Sequence, residues 1–388
     1  MDEHVLHTYK RASEVFVEGR GALLYDRDGR EYLDFLAGIA VSALGHRHPE
    51  LCAALKDQVD KLIHTSNLFR NPYTEAVAER LARLSGLDSV FFANSGTEAN
   101  ECALKLARKA MKNRGETKRT GFLALEGGFH GRTLGALSLT HAKKYREPFE
   151  PLLGDVRWIA PNDAPALRRA LHESPPAALV IEPIQGEGGV KELDAEYLRT
   201  ARTLCTQTGT ILIHDEVQSG SGRTGKFLAA EWADVKPDLA TLAKPIAAGL
   251  PMGACLVSKE LSDTFHPGDH GSTFAGGPFV LRGALVFLDA LEGGLMAAVR
   301  ERGDQLKLGL LALSREFPIV SEVRGRGLIL GLRLSRDAEA LQKKLYERRM
   351  ITNCTAGDVI RLLPPFVITA DQIERGLAVL RSCLQELA

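Results

Sequence analysis

The stretch Ile211-Leu-Ile-His-Asp-Glu-Val-Gln-Ser-Gly220 decides how the rest of the chain is read. Thr210 to Ile213 is a short apolar, β-rich run without alternation, the pattern of a strand buried on both faces of a parallel sheet. It runs directly into Asp215 and Glu216, then into Gln218 and a Gly/Ser loop. Ligands of open α/β sheets bind beyond the carboxyl ends of the strands, so Asp215 stands where chemistry is expected. A later strand pattern ends in Thr241-Leu-Ala-Lys244. Taken singly, Asp215 reads as a turn or helix cap and Lys244 as a solvated surface lysine. Together, on successive strand ends, they point to something narrower. A carboxylate can hold a pyridine nitrogen protonated, and a lysine whose pKa is lowered by burial can form a Schiff base. Those are the two demands of pyridoxal 5'-phosphate.

The chain has 388 residues, enough for two domains or one large α/β unit. It is 45% hydrophobic and 25% charged, which allows a sizeable core. Lys+Arg and Asp+Glu both total 49, so no net field draws the chain to nucleic acid or an anionic membrane. The polar start Met1-Asp-Glu-His-Val-Leu-His lacks an apolar signal core, and the apolar runs fall short of a membrane span. The 6 cysteines are scattered without C-x-x-C spacing. That pattern fits reduced thiols in a cytoplasmic protein, with neither a disulfide framework nor a zinc site.

Gly21-Ala-Leu-Leu-Tyr-Asp-Arg-Asp-Gly29 followed by Arg30-Glu-Tyr-Leu-Asp-Phe35 is a hairpin signal. His46 and His48 are spaced as a metal pair, but no third ligand lies nearby, and Pro49 suits the first turn of a helix. Strands then alternate with helices: Ser89 to Ala93, a helix from Glu98 to Lys112, and further strands at Thr120 to Leu125, Val156 to Ala160, Ala178 to Glu182, Leu239 to Leu242 and Gly253 to Val257. This alternation predicts a mostly parallel sheet covered on both faces. The expected organisation is a large central domain over residues 46–276. Residues 1–45 and 277–388 join to build a smaller one.

Several constellations could serve a cofactor. Ser95-Gly-Thr-Glu-Ala99 puts a glycine turn and a hydroxyl at a helix N-terminus, which attracts an anion; a plain capping turn looks the same. Phe129-His-Gly-Arg132 offers a ring to stack and a guanidinium to grip a carboxylate, or else a core Phe and a surface Arg. Glu182-Pro-Ile-Gln-Gly-Glu-Gly-Gly189 is a glycine-loosened loop with two acids, and Arg361 lies on the strand pattern Val359 to Leu362. A Glu that covers an Arg for one substrate and uncovers it for another would let one site accept two differently charged substrates. His270-Gly-Ser-Thr-Phe-Ala-Gly-Gly277 can bring Thr273 and backbone close to a phosphate, or be a surface turn.

These motifs, with Asn94 to Asn100, Asp215-Glu-Val-Gln218, Leu242-Ala-Lys244, Arg324-Gly-Arg-Gly327 and Arg361-Leu-Leu-Pro-Pro365, resemble in order and spacing those of class III aminotransferases. The likeness is greatest to the acetylornithine branch and runs from about Val17 to near the C-terminus. The resemblance implies a fold-type I pyridoxal-phosphate enzyme with a seven-stranded sheet, working as a homodimer with active sites at the subunit interface. It implies that Lys244 carries the cofactor and, once freed, moves the proton. Asp215 would pair with the pyridinium, Gln218 with the ring hydroxyl, Phe129 and Val217 with the ring faces. Gly96 and Thr97 would hold the phosphate, joined by Thr273 of the other subunit. Arg132 and Ser272 would contact the acylated donor, and Arg361 the α-carboxylate of glutamate, with Glu187 as its gate.

The chain departs from the family pattern at His214, where an apolar residue is usual, at Pro245 and Ala247-Ala248, and at Gly277. His214 is expected to alter the surroundings of Asp215. Ornithine aminotransferases carry a tyrosine near the position of Ile39; an apolar wall there would disfavour free ornithine. The expected reaction is transfer of the terminal amino group of N2-acetyl-L-ornithine to 2-oxoglutarate, a step of arginine biosynthesis. The rivals are another ω-aminotransferase (acylated or carrier-linked lysine, succinylornithine, ornithine, 4-aminobutyrate), an aminomutase, a metal-dependent hydrolase built on His46, His48 and the acids Asp215 and Glu216, and a non-catalytic pyridoxal-binding protein.

Overall fold

Helices cover both faces of the strands in the computed structural model, which describes residues 4–387. The central sheet contains β1 (Ser89–Ala93), β2 (Phe122–Leu125), β3 (Val156–Ile159), β4 (Ala178–Ile181), β5 (Ile211–Asp215), β6 (Leu239–Leu242) and β7 (Gly253–Val257). Their spatial order is β1-β7-β6-β5-β4-β2-β3. Every pairing is parallel except those of β7, which runs antiparallel to both neighbours. The expected seven-stranded, mostly parallel sheet is therefore present.

The missing alternation in these strands has a simple cause. Ala178 and Val180 pack with Ile211 and Ile213 beneath the helix Gly96–Asn113. Leu179, Ile181 and Leu212 point the other way, into Leu167, Leu171, Leu198 and Leu204 of the helices Ala164–Glu173 and Ala195–Thr208. Both faces need apolar side chains, so the period of two disappears from the sequence.

The strands Phe16–Arg20, Leu23–Asp26 and Glu31–Asp34 form the expected hairpin and one more antiparallel pairing. Met350–Ile351 joins this sheet in parallel, Met350 opposite Leu33 and Ile351 opposite Asp34. A Cβ on Gly376 of the helix Ala370–Gln385 would lie 2.5 Å from the Phe35 ring, so the two ends of the chain meet closely. A second antiparallel sheet orders Val320–Arg326, Ile329–Leu334, Val359–Leu362 and Asn353–Thr355. It carries Arg361 opposite Gly331 and Asn353.

His46 and His48 have other work. His46 Nε2 lies 2.8 Å from Asp34 Oδ2, and His48 Nδ1 accepts from the Leu51 N–H at the start of the helix Pro49–Val59. Among the described residues no group of three or more His, Cys, Asp or Glu could hold a metal, and no helix is long and apolar enough to cross a membrane.

Candidate active site

Because β5 and β6 are parallel and in register, with Asp215 opposite Thr241, their carboxyl ends open on the same edge. Asp215 closes β5, and Lys244 follows β6 in a single helical turn with φ of +51°, a backbone region lysine seldom adopts. Both line a cavity of about 460 Å³. Gly96, Thr97, Phe129, Arg132, Val217 and Gln218 line it too. Eight of the residues singled out from sequence thus share one cavity.

Asp215 is 3% exposed and fixed from three sides. Its Oδ2 accepts from Asn100 Nδ2 at 2.8 Å and lies 2.8 Å from His130 Nδ1, while Oδ1 accepts from the Val217 N–H at 3.1 Å. Asn100 is itself aimed by the Thr241 hydroxyl, which donates to its Oδ1 at 2.7 Å. Burial is the largest influence on His130 and opposes its charge, but the bond to Asp215 together with the negative charges of Asp215 and Glu182 outweighs it and raises the imidazole pKa. Beside them Glu182 accepts from the Phe129 and Gly186 N–H groups, and burial pushes its carboxyl up to about 7. Glu216 turns away from the cavity and binds the Ser219 hydroxyl and the Ala230 N–H.

Lys244 faces this acid across the cavity. Burial lowers its amine pKa more than the charge of Asp215 raises it. Among the described residues nothing hydrogen-bonds that amine.

The start of the helix Gly96–Asn113 is built for an anion. Ser95 caps the helix Gly96–Asn113 by accepting from the Glu98 N–H at 3.3 Å, leaving the first-turn N–H groups at the cavity. A Cβ on Gly96 would sit 2.7 Å from Val217 Cγ1, so only glycine lets the helix start pack against the loop after β5. Phe129 and Val217 bound the space between. A lone amine, a fixed carboxylate, flanking apolar groups and a helix N-terminus together fit the pyridoxal phosphate that the sequence leads one to expect.

Arg361 approaches from the second sheet and is 1% exposed. It donates to Glu187 Oε1 at 2.6 Å, to Gln218 Oε1 at 3.0 Å and to Asn353 Oδ1 at 3.2 Å. The Thr355 hydroxyl donates to the Glu187 carbonyl at 2.8 Å, anchoring the loop through its backbone, while among the described residues the Glu187 side chain is held by Arg361 alone and is 34% exposed. Glu187 also lines an adjoining cavity of about 570 Å³ that shares Phe129 with the first.

Three candidates lie elsewhere. Ile39 is 40% exposed on a turn, and Val41, two residues on, lines the cavity instead. Ser272 accepts from Asn94 Nδ2 at 2.9 Å, and Thr273 is exposed; neither lines the cavity of its own chain. The expectation for His214 is corrected. Strand alternation sends its ring to the face opposite Asp215, where both nitrogens are buried without a hydrogen bond. Asn100, His130, Glu182, Asn353 and Thr355 carry no role in the sequence reading. The first three sit inside the motifs Asn94–Asn100, Phe129–Arg132 and Glu182–Gly189, which is the signal that could have found them. Asn353 and Thr355 lie on a strand with no motif.

The chain is similar to known proteins over nearly its full length. The family model described as "Aminotransferase class-III" matches residues 7–384. An acetylornithine aminotransferase of Aquifex aeolicus is 44% identical over 382 residues, covering 98% of this chain and 100% of the relative. One from Methanopyrus kandleri is 44% identical over 390 residues, with coverage of 99% and 98%. Among solved structures, the ornithine aminotransferase of Toxoplasma gondii superposes with a TM-score of 0.95 at 33% identity, covering 100% of this chain and 94% of the other. The N-acetylornithine aminotransferase of Stenotrophomonas maltophilia gives a TM-score of 0.86 at 36% identity, with 98% of each chain covered. The chain belongs to the class-III aminotransferases.

Proposed function

We propose that this chain, with pyridoxal phosphate, transfers the terminal amino group of N2-acetyl-L-ornithine to 2-oxoglutarate, giving N-acetyl-L-glutamate 5-semialdehyde and L-glutamate. The observation that carries the reading is the arrangement of two arginines around one lysine. Arg132 lies uncovered in the cavity, whereas Arg361 is covered by Glu187 at 2.6 Å. Relatives named acetylornithine aminotransferases match nearly the full length of the chain.

Bound pyridoxal phosphate supplies an electron sink for the bond broken at the substrate carbon. Lys244 would hold it covalently, and Asp215, aimed by Asn100 and His130, would keep its ring nitrogen protonated. Gln218 would meet the ring hydroxyl, Phe129 and Val217 the ring faces, and Gly96 and Thr97 the phosphate. Lys244, once freed, takes the proton from the donor's terminal carbon. Its lowered pKa enlarges the neutral, basic fraction near pH 7. Arg132, with Ser272, orients the donor's acylated end. With the donor bound, Glu187 keeps Arg361 neutralised; with 2-oxoglutarate, Glu187 yields and Arg361 takes the α-carboxylate.

Two copies complete the site in this reading. Ser272 and Thr273 sit beside an exposed apolar face that includes Leu68 (87% exposed), Phe69 (68%), Phe274 (67%) and Ile63 (58%), and Ile39 is an exposed apolar side chain as well. Such a face is characteristic of a surface that another subunit covers. Thr273 and Ser272 then serve the partner's cavity, and sedimentation of the purified protein as a monomer would refute this.

The test of the reaction is a donor panel with 2-oxoglutarate as acceptor, comparing kcat/KM for N-acetylornithine, ornithine, acetyl-lysine, succinylornithine and 4-aminobutyrate. Free ornithine is the second reading, favoured by the 0.95 TM-score to the Toxoplasma gondii enzyme. A higher kcat/KM for ornithine than for its acetylated form selects it.

A further inference from the structure

Arg132 lines the active-site cavity, yet among the described residues no carboxylate, carbonyl or hydroxyl accepts from its guanidinium; only its backbone N–H is bonded, to Thr97. What touches the guanidinium is aromatic. Its Cζ lies 4.0 Å from the centroid of the Tyr145 ring and 5.5 Å from that of Phe129. The two rings meet edge to face, with centroids 6.3 Å apart and planes at 83°.

An aromatic face attracts a cation through its π cloud and uses none of the N–H groups. Arg132 is therefore restrained while all five of its donors stay available for a bidentate carboxylate. A long exposed side chain with no such restraint loses several rotamers when a ligand fixes it, and that loss weakens binding. Phe129 is the more distant ring and already borders the cofactor space, which leaves Tyr145 as the closer support. Tyr145 comes from the single turn Lys143–Arg146 and lines the adjoining cavity rather than the first one. Its ring meets the first cavity through Arg132, face on at 4.0 Å, and through the edge contact with Phe129.

We infer that Tyr145 is a positioning residue for the amino donor: its ring face holds the Arg132 guanidinium ready for the carboxylate of the acylated amino acid. This rests on the reading that Arg132 takes that carboxylate, and the experiment separates the two.

The donor half-reaction is followed in single turnovers of the holoenzyme for the parent, Tyr145→Leu, Tyr145→Phe, Arg132→Met and the double variant Arg132→Met/Tyr145→Leu. Tyr145→Leu raises the half-saturating concentration of N-acetylornithine about tenfold, with little change in the limiting rate. Tyr145→Phe keeps the ring and restores it to within about threefold of the parent. Arg132→Met raises it further, and adding Tyr145→Leu to that variant changes nothing more, because the tyrosine acts through the arginine. Additive effects in the double variant overturn the inference, as does a Tyr145→Phe variant as impaired as Tyr145→Leu. If Arg132→Met leaves donor binding intact, the assignment of Arg132 to the donor carboxylate fails first.

Discussion

Glu187 and Arg361 form an ion pair at 2.6 Å in which the arginine is 1% exposed and the glutamate 34%. One partner is anchored inside the protein by Gln218 and Asn353, and the other can leave toward the adjoining cavity. A ligand carboxylate can thus replace Glu187 without leaving Arg361 as an unpaired buried cation, which would cost several kcal/mol.

Glu187→Gln removes the charge that competes with the α-carboxylate. Glutamate and 2-oxoglutarate then meet a permanently uncovered arginine, while the acylated donor loses the neutral wall it needs. The ratio of kcat/KM for N-acetylornithine to that for glutamate, each measured as an amino donor, falls about tenfold. An unchanged ratio would show that the pair is structural and gates nothing.

Lys244→Ala removes the one lysine amine that lines the cavity among the described residues, an amine whose pKa burial lowers. Binding groups for the ring and phosphate remain, so the variant retains cofactor on gel filtration but loses the visible absorbance of the lysine-bound form. Turnover falls by about 10²–10⁴-fold, the usual contribution of a positioned proton-transfer group, or further because the covalent anchor goes too. Turnover at the parent rate would exclude Lys244 as that base.

How much of this was legible in advance follows from distances along the chain. β5 and its acid could be read because a doubly buried strand leaves an unbroken apolar run that stops where the ligand edge begins. The pairing of Met350–Ile351 with Glu31–Asp34 spans more than three hundred residues, and neither segment carries a sign of its partner. The same holds at the site. The alignment of Asp215 with Lys244 follows from β5 and β6 being neighbours, whereas Asn353 and Thr355 reach Arg361 and Glu187 through a register that only the folded second sheet sets. His214 is adjacent to Asp215 in sequence but not in space, because a strand reverses side-chain direction at each residue and sends its ring to the other face.

His214 is a stability liability with a definite pH signature. Burial drives its pKa from 6.5 down to about 3, and neither ring nitrogen has a partner. The unfolded chain takes up a proton as the pH falls below 6.5, whereas the folded chain does so only near 3. Stability from this group is therefore intact above 6.5 and lost progressively below it. His214→Leu removes the unsatisfied nitrogens and raises stability at about pH 8 by roughly 1–2 kcal/mol. Its margin over the parent, read from Tm at a series of pH values, widens as the medium is acidified. A margin that stays flat or shrinks in acid would contradict the buried neutral imidazole.

Gly96→Ala sets two effects of known size against each other. Alanine is better than glycine in a helix by about 1 kcal/mol, and Gly96 opens the helix Gly96–Asn113, so propensity alone predicts stabilisation. Against this, the new methyl would lie 2.7 Å from Val217 Cγ1 and 3.4 Å from Ala243 Cβ. Overpacking of this kind costs about 1–3 kcal/mol, so the clash wins. Relief by movement of Val217 would shift one wall of the cofactor space, and relief by movement of the helix would shift the N–H groups at its anion end. Either way cofactor retention suffers more than global stability. The expected result is a Tm within a few degrees of the parent but at least a tenfold rise in the pyridoxal phosphate concentration needed for half-maximal loading of apoprotein. Val217→Ala makes room for the methyl, so the double variant Gly96→Ala/Val217→Ala binds cofactor more tightly than Gly96→Ala alone. If the second substitution gives no recovery, the glycine is required for close approach of the phosphate itself and not for packing against the loop after β5.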